Sequence, residues 1–273
     1  MFQIVLFFTL FLSFNTFANP KFDHVFIIVF ENENGVNVLK YPFFNELAQS
    51  GALLKNMNGV IHPSQGNYIA MVAGDSFGIA HDKPIHLNES HIADLLERNN
   101  RTWKLYAEDY PGNCFQGEKS KRYVRKHVPF ISFQNVSKDS RRCANITNAE
   151  EFDKDLANQT LPDYMMYIPN QDNNGHDTNM DYSNKYLEKK FGSLFRNKEF
   201  LEKTLVIVTF DESENLFSNN IFTSLIGGNI QPNSSTNQKL THYSLLKMIE
   251  DNWDLGDLGK KDATADIPMG IWK

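Results

Sequence analysis

The chain has 273 residues, a formal net charge of −6 and 22 Phe. That length suits one large α/β domain or two small ones, and so many aromatics argue for a packed core over disorder. No run of Lys and Arg forms a basic stripe, which argues against nucleic acid as a binding partner.

Residues 1–18, MFQIVLFFTLFLSFNTFA, read as a secretory signal peptide. An apolar run from Ile4 to about Phe14 is followed by Thr16 and Ala18 in a small-x-small cleavage pattern, although the leading residues lack Lys and Arg. The run is short for a bilayer span, and no other segment is long and apolar enough, so no stable membrane insertion is expected. Secretion follows, to the extracellular space or, in a bacterium, the periplasm. In such a compartment Cys114 and Cys143 are expected to pair. Asn88, Asn100, Asn135, Asn145, Asn158 and Asn233 each open an N-x-Ser/Thr triplet, which marks surface if glycosylated.

The remainder, 19–273, reads as a single domain. His24 to Asn32 (HVFIIVFEN) is an apolar strand ending in Glu31 and Asn32. Pro42 starts a helix that stops near Gly51, and Ala52–Leu54 is a short strand. From Val60 to Gly74 the pattern is strand, turn and apolar helix, with Ser64 at the turn. Ser90 to Asn99 is an amphipathic helix capped by Ser90 or the residue before it. Trp103 to Ala107 is a strand. A polar excursion over about 108–148 carries both cysteines and the basic segment Tyr123 to Phe130, which either approaches an anionic substrate or forms a solvated loop face. A short helix spans Glu150 to Asn158, and the strand Tyr164–Ile168 runs into a polar loop with His176. A long helix covers about Tyr182 to Phe195. Thr204 to Glu212 (TLVIVTFDE) is a continuous apolar run ending in two carboxylates, the signature of a buried parallel strand. Ile221 to Ile226 is a strand, and Thr241 opens the last helix, to about Asn252. Alternating strands and helices give an α/β fold.

Ligand sites in open α/β sheets lie beyond the carboxyl ends of the strands. Two buried strands ending in Glu31-Asn32 and Asp211-Glu212 would bring hard oxygen donors to one point, suited to a divalent cation. His176 and His242 could extend that set toward zinc or manganese. A single acidic pair alone would read as solvated charge at a strand end. Ser64, at the start of a helix, sits where the helix dipole and free N–H groups favour a phosphate or an alkoxide. Its bland alternative is a plain N-cap. His176 would hold a phosphoryl oxygen or protonate a leaving alcohol, or is simply a satisfied loop histidine. For His242 a capping or packing role competes.

These stretches, with TWKLYAEDYPGNCF (102–115), YVRKHVPF (123–130) and IPNQDNNGHDT (168–178), resemble the phosphoesterase family of secreted acid phosphatases and bacterial phospholipases C, most nearly the fungal-type acid phosphatases. The resemblance implies a three-layer α/β/α fold with a mostly parallel central sheet, like that of alkaline phosphatase. It also implies a metal-dependent hydrolysis of phosphate monoesters through a phosphoserine. Glu31, Asn32, Ser64, Asp211 and Glu212 match the metal ligands, over one or more divalent ions whose identity is open. Ser64 and His176 match the catalytic pair, and Asn67, His127 and His242 fall on the substrate side. Small phosphorylated compounds are the expected partners. The alternative within the family is a phospholipase C acting on phospholipid diesters. The first loop reads ENEN where Ser or an aromatic often follows, and Gly66 stands where Pro is common.

Overall fold

The computed structural model describes residues 21–273, so the signal-peptide segment lies outside the described residues. An eight-stranded sheet runs in the order Ser234–Thr236, Ala52–Leu54, Thr223–Gly227, Thr204–Phe210, His24–Phe30, Tyr164–Ile168, Trp103–Ala107, Ile146–Asn148. Every pairing is parallel except those of Thr223–Gly227, which is antiparallel to both neighbours. The two long apolar runs therefore lie side by side at the middle of the sheet. They pair from His24↔Thr204 to Phe30↔Phe210, and this in-register pairing ends both strands at one level.

Side chains alternate between the two faces of a strand, so each central strand feeds two cores. On one face Phe26 stacks on Phe152 at 4.8 Å and meets Phe191 edge-on at 5.6 Å, while Phe30 meets Phe44 at 5.3 Å. This brings the helices Pro42–Ser50, Glu150–Asn158 and Met180–Phe195 onto that face. Pro42 occupies the first turn of its helix, where its missing N–H costs nothing. The free N–H groups of Phe43 and Phe44 are taken by Asn184 Oδ1, at 2.9 and 3.3 Å. On the other face Tyr164 and Trp103 pack on Phe130, with the helices Gln65–Ala73, Ile92–Arg98 and His242–Asn252 beyond them. All nine residues of Gln65–Ala73 are buried, as expected for a helix enclosed on every side.

The α/β/α arrangement with a mostly parallel sheet agrees with the sequence reading. Several local readings need correction. Val60 and Ile61 are loop, and the strand there is Met57–Asn58, paired with Leu240–Thr241. The helix expected from Ser90 starts at Ile92, with His91 as N-cap and Asp94 returning the cap from its third position. The strand expected from Ile221 starts at Thr223. The excursion is not wholly loop, since it holds a two-stranded ribbon, Lys119–Ser120 with Tyr123–Val124, and returns to the sheet edge as Ile146–Asn148. Cys114 and Cys143 form a disulfide, with Cα atoms 5.7 Å apart.

Candidate active site

Because Phe30 and Phe210 are paired, Glu31 and Asp211 emerge together at the carboxyl end of the sheet, and the Asp211 N–H donates to the Phe30 carbonyl at 3.1 Å. Glu31, Asp211 and Glu212 are all buried. Asn32 turns the chain away from the sheet with φ 46°, a left-handed conformation that Asn tolerates better than most residues. The loop after Tyr164–Ile168 closes over the same edge. Its Asn174 carbonyl accepts from the Glu31 N–H at 3.1 Å, and Gly175 takes φ +101°, a conformation that side-chain-bearing residues rarely adopt.

Ser64 is the N-cap of the helix Gln65–Ala73, yet its side chain makes no capping bond. The plain N-cap reading therefore fails. The hydroxyl instead donates to Glu212 Oε1 at 3.0 Å, with Glu31 Oε2 at 3.4 Å. A carboxylate from each of the two acidic strand ends thus flanks one buried serine oxygen at the positive end of a helix.

Around this centre the remaining polar groups fall into layers. The Tyr68 hydroxyl donates to Glu31 Oε1 at 2.6 Å, and its ring stacks on His127 at 4.8 Å. His127, fully buried, places Nε2 3.0 Å from the same Glu31 oxygen. His62 Nδ1 is hydrogen-bonded to Glu212 Oε2. His242 Nε2 donates to the backbone carbonyl of Asp211 at 2.6 Å, so it supports the strand end from behind. Burial drives the His242 pKa down to about 4, which keeps the ring neutral. Asn67 Oδ1 accepts from Val60 and Ile61 N–H, and Nδ2 donates to the Ile61 carbonyl. Asn67 therefore fastens the loop before Ser64. His176 is held by its own loop: Nδ1 pairs with Asp177 Oδ1 at 2.8 Å and the side chain is 33% exposed. It has no hydrogen bond to Ser64 or to the acidic cluster.

The sequence reading did not single out Tyr68, His62 or Lys126. Tyr68 follows Ser64 by four residues, the spacing that puts two side chains on one helix face, and that signal was available. His62 and Lys126 adjoin named residues but carry no motif of their own.

Burial pushes the Glu31 carboxyl up, but the charge and hydrogen bond of His127, with Lys126 and Tyr68, overcome it and hold Glu31 at about 2. Asp211 is raised, by burial first and then by the Glu31 and Glu212 charges. Glu212 is raised by burial despite Ser64 and His62. Among the described residues no group of three or more His, Cys, Asp and Glu side chains stands at metal-ligand spacing. The fit to a cation rests on donor chemistry. Asn32 Oδ1 and Asp211 Oδ2 are buried oxygens with no hydrogen-bond partner, beside Glu31, Glu212 and the Ser64 hydroxyl. An all-oxygen set with mutually repelling carboxylates matches a hard divalent ion.

The fold and site define a class of α/β/α protein with a serine and paired carboxylates at one sheet edge. The chain belongs to the Phosphoesterase family, whose sequence model matches residues 34–256. It is 38% identical to a probable acid phosphatase of Kluyveromyces lactis, over 90% of this chain and 62% of that protein. It is 39% identical to an acid phosphatase of Aspergillus fumigatus, over 81% of this chain and 52% of that protein. The chain thus spans about half to two thirds of these relatives. It is also 30% identical to a phosphatidylinositol-3-phosphatase of Mycobacterium tuberculosis, over 89% of this chain and 80% of that protein. Among solved structures, an alkaline phosphatase superfamily protein from Vibrio parahaemolyticus matches with TM-score 0.64 at 13% identity, over 92% of this chain and 72% of that one. The phosphonate monoester hydrolase of Agrobacterium radiobacter matches with TM-score 0.57 at 11% identity, over 93% and 79%. The structural matches speak to the fold alone.

Proposed function

We propose that this chain is a phosphatase that hydrolyses small phosphate monoesters with Ser64 as nucleophile, dependent on one or more divalent ions held by Glu31, Asn32, Ser64, Asp211 and Glu212. One observation carries the reading. The Ser64 hydroxyl forgoes capping its own helix and sits between Glu212 and Glu31, at the helix N-terminus and the end of the central strands. The acid phosphatase names of the fungal relatives support it.

In this mechanism the substrate phosphoryl group lies beside the Ser64 hydroxyl at the start of the helix Gln65–Ala73, where the dipole favours negative charge and the Gln65 N–H is already taken by Asp82. The Ser64 oxygen attacks phosphorus in line, forming the O–P bond as the bond to the leaving alcohol breaks. The Ser64 proton departs along the bond it already makes, toward Glu212. A bound divalent ion would lower the serine pKa and offset charge on the phosphoryl oxygens. His127, 3.0 Å from Glu31, and Tyr68 hold the carboxylate in place. His176, on the polar loop 170–178, supplies the proton for the leaving alcohol. Water then attacks the phosphoserine, restoring the Ser64 hydroxyl and releasing inorganic phosphate. The signal-like residues 1–18 support a secreted enzyme.

A phospholipase C would act on a diester with the same nucleophile. The lipid-related name among the relatives is that of a phosphatidylinositol phosphatase and not of a phospholipase C, so it favours monoester chemistry. The test is release of p-nitrophenol from p-nitrophenyl phosphate, with and without a chelator, beside release of phosphocholine from phosphatidylcholine. Turnover of the first substrate, lost with chelator and restored by added divalent ion, is expected. Turnover of phosphatidylcholine alone would replace the reading with the diesterase.

A further inference from the structure

The basic segment Tyr123 to Phe130 contributes His127 to the centre, but the rest of it has no part in the mechanism above. Its arginine is not on a solvated loop face: Arg125 is 2% exposed. Nη2 donates to the Ile85 carbonyl at 2.8 Å, while Nε and Nη1 are buried with no partner. A buried guanidinium with two of three nitrogens unpaired is costly unless an anion meets it.

Arg125 lines a cavity of about 450 Å³ together with Gln65, Asp82, Lys83, Lys119 and Lys126. That volume suits a small-molecule site. Two acidic residues, Asp82 and Glu118, also face it. Asp82 is already committed, with Oδ1 accepting from the Gln65 N–H at 3.1 Å and Oδ2 from Lys126 Nζ at 2.8 Å. With Lys126 paired to Asp82, the cations Arg125, Lys83 and Lys119 remain against Glu118, so the lining stays cationic. The cavity is tied to the start of the Ser64 helix, because its Asp82 accepts from the Gln65 N–H, one residue after Ser64, and from Lys126, one residue before His127.

Resting on the phosphatase reading, we propose that this cavity receives a second phosphate group carried by the substrate, so that bisphosphorylated compounds are preferred over monophosphorylated ones. The groups the cavity offers to that second phosphate are Arg125, Lys83 and Lys119. Charge-assisted hydrogen bonds from Arg and Lys to phosphate oxygens are among the stronger polar contacts.

The test is calorimetric titration of the Ser64→Ala protein, which cannot form the phosphoserine, with fructose 1,6-bisphosphate and with fructose 6-phosphate. The bisphosphate is expected to bind at least about tenfold more tightly, and Arg125→Gln to bring the ratio close to one. Since Arg125 is buried, a Lys83→Gln/Lys119→Gln variant at exposed positions is run in parallel and is expected to lower the ratio at least about threefold. Equal affinities in the Ser64→Ala background, or a preference that survives both sets of changes, overturns the proposal. Wild-type turnover of p-nitrophenyl phosphate is scored separately. Turnover with equal affinities removes the pocket and leaves the phosphatase. An Arg125-dependent preference without turnover keeps the pocket and removes the catalytic reading.

Discussion

Two strand ends in this sheet look alike and behave differently. Trp103–Ala107 ends in Glu108 and Asp109, much as His24–Phe30 ends in Glu31 and Asn32. Glu108 has every donor it needs: Tyr167 and Tyr186 hydroxyls give Oε1 3.0 and 2.6 Å bonds, and Asn170 N–H and Asn173 Nδ2 give Oε2 2.9 and 2.6 Å bonds. At the central edge Asp211 Oδ2 and Asn32 Oδ1 are buried without partners, and a serine hydroxyl stands among the carboxylates. A carboxylate after an apolar strand is thus not a site in itself. Unsatisfied acceptors beside a serine hydroxyl make the difference, since a satisfied polar network stabilises and an unsatisfied one is kept at a cost.

Substitutions should separate the two regions. The largest effect is expected from Ser64→Ala, which should lower kcat for p-nitrophenyl phosphate by about 1,000-fold or more while the melting temperature barely moves. Retained activity would mean that the wrong nucleophile has been chosen. Next, Asp211→Asn should cut activity at least about 100-fold yet leave stability in chelator unchanged or higher, because it removes one of three repelling buried charges. Glu108→Gln should do the reverse in stability, costing about 2–3 kcal/mol in a urea melt, because an amide cannot accept from four donors. Equal stability losses for the two variants would mean that the two strand ends do not differ. Tyr68→Phe, which deletes one hydrogen bond to Glu31, should reduce kcat about tenfold, read against an unchanged far-UV spectrum.

The effect that is smallest near neutral pH concerns a histidine away from the centre. His91 is fully buried against Phe130 and Phe133, and burial lowers its pKa from 6.5 to about 4. The unfolded chain takes up that proton at a higher pH than the folded one does. Stability should therefore fall as pH drops from 6.5 toward 4 and be insensitive to this group above 6.5. His91→Gln should flatten that part of a urea-midpoint-against-pH curve. An unchanged slope would mean that other groups set it.

Much of this was legible in the sequence because the signals were long or chemically abrupt. HVFIIVFEN and TLVIVTFDE are continuous apolar runs that stop at oxygen-bearing side chains, and they are the central pair of the sheet. Ser64 was legible as a turn before a helix, but its direction was not, since an N-cap serine and a nucleophile have the same local sequence. Only the fold shows the hydroxyl turned to Glu212. Strands of three residues such as Ile146–Asn148 and Ser234–Thr236 are too short for a period to register, and nothing local told Thr223–Gly227 to run antiparallel. The misreading of Val60 and Ile61 as a strand has a cause in Asn67, whose side chain takes their N–H groups into a loop clamp. Glu108 shows the converse limit, because its donors come from residues 59 to 78 positions away.

The central claim is that Ser64 carries the phosphoryl group during turnover. The most direct measurement is to quench the wild-type protein in acid during hydrolysis of p-nitrophenyl phosphate and locate any phosphoryl adduct by peptide mass spectrometry. A phosphoserine at Ser64, absent in Ser64→Ala and absent without substrate, is the predicted result. Steady turnover with no adduct on any serine, in a protein whose Ser64→Ala variant still works, would contradict the account.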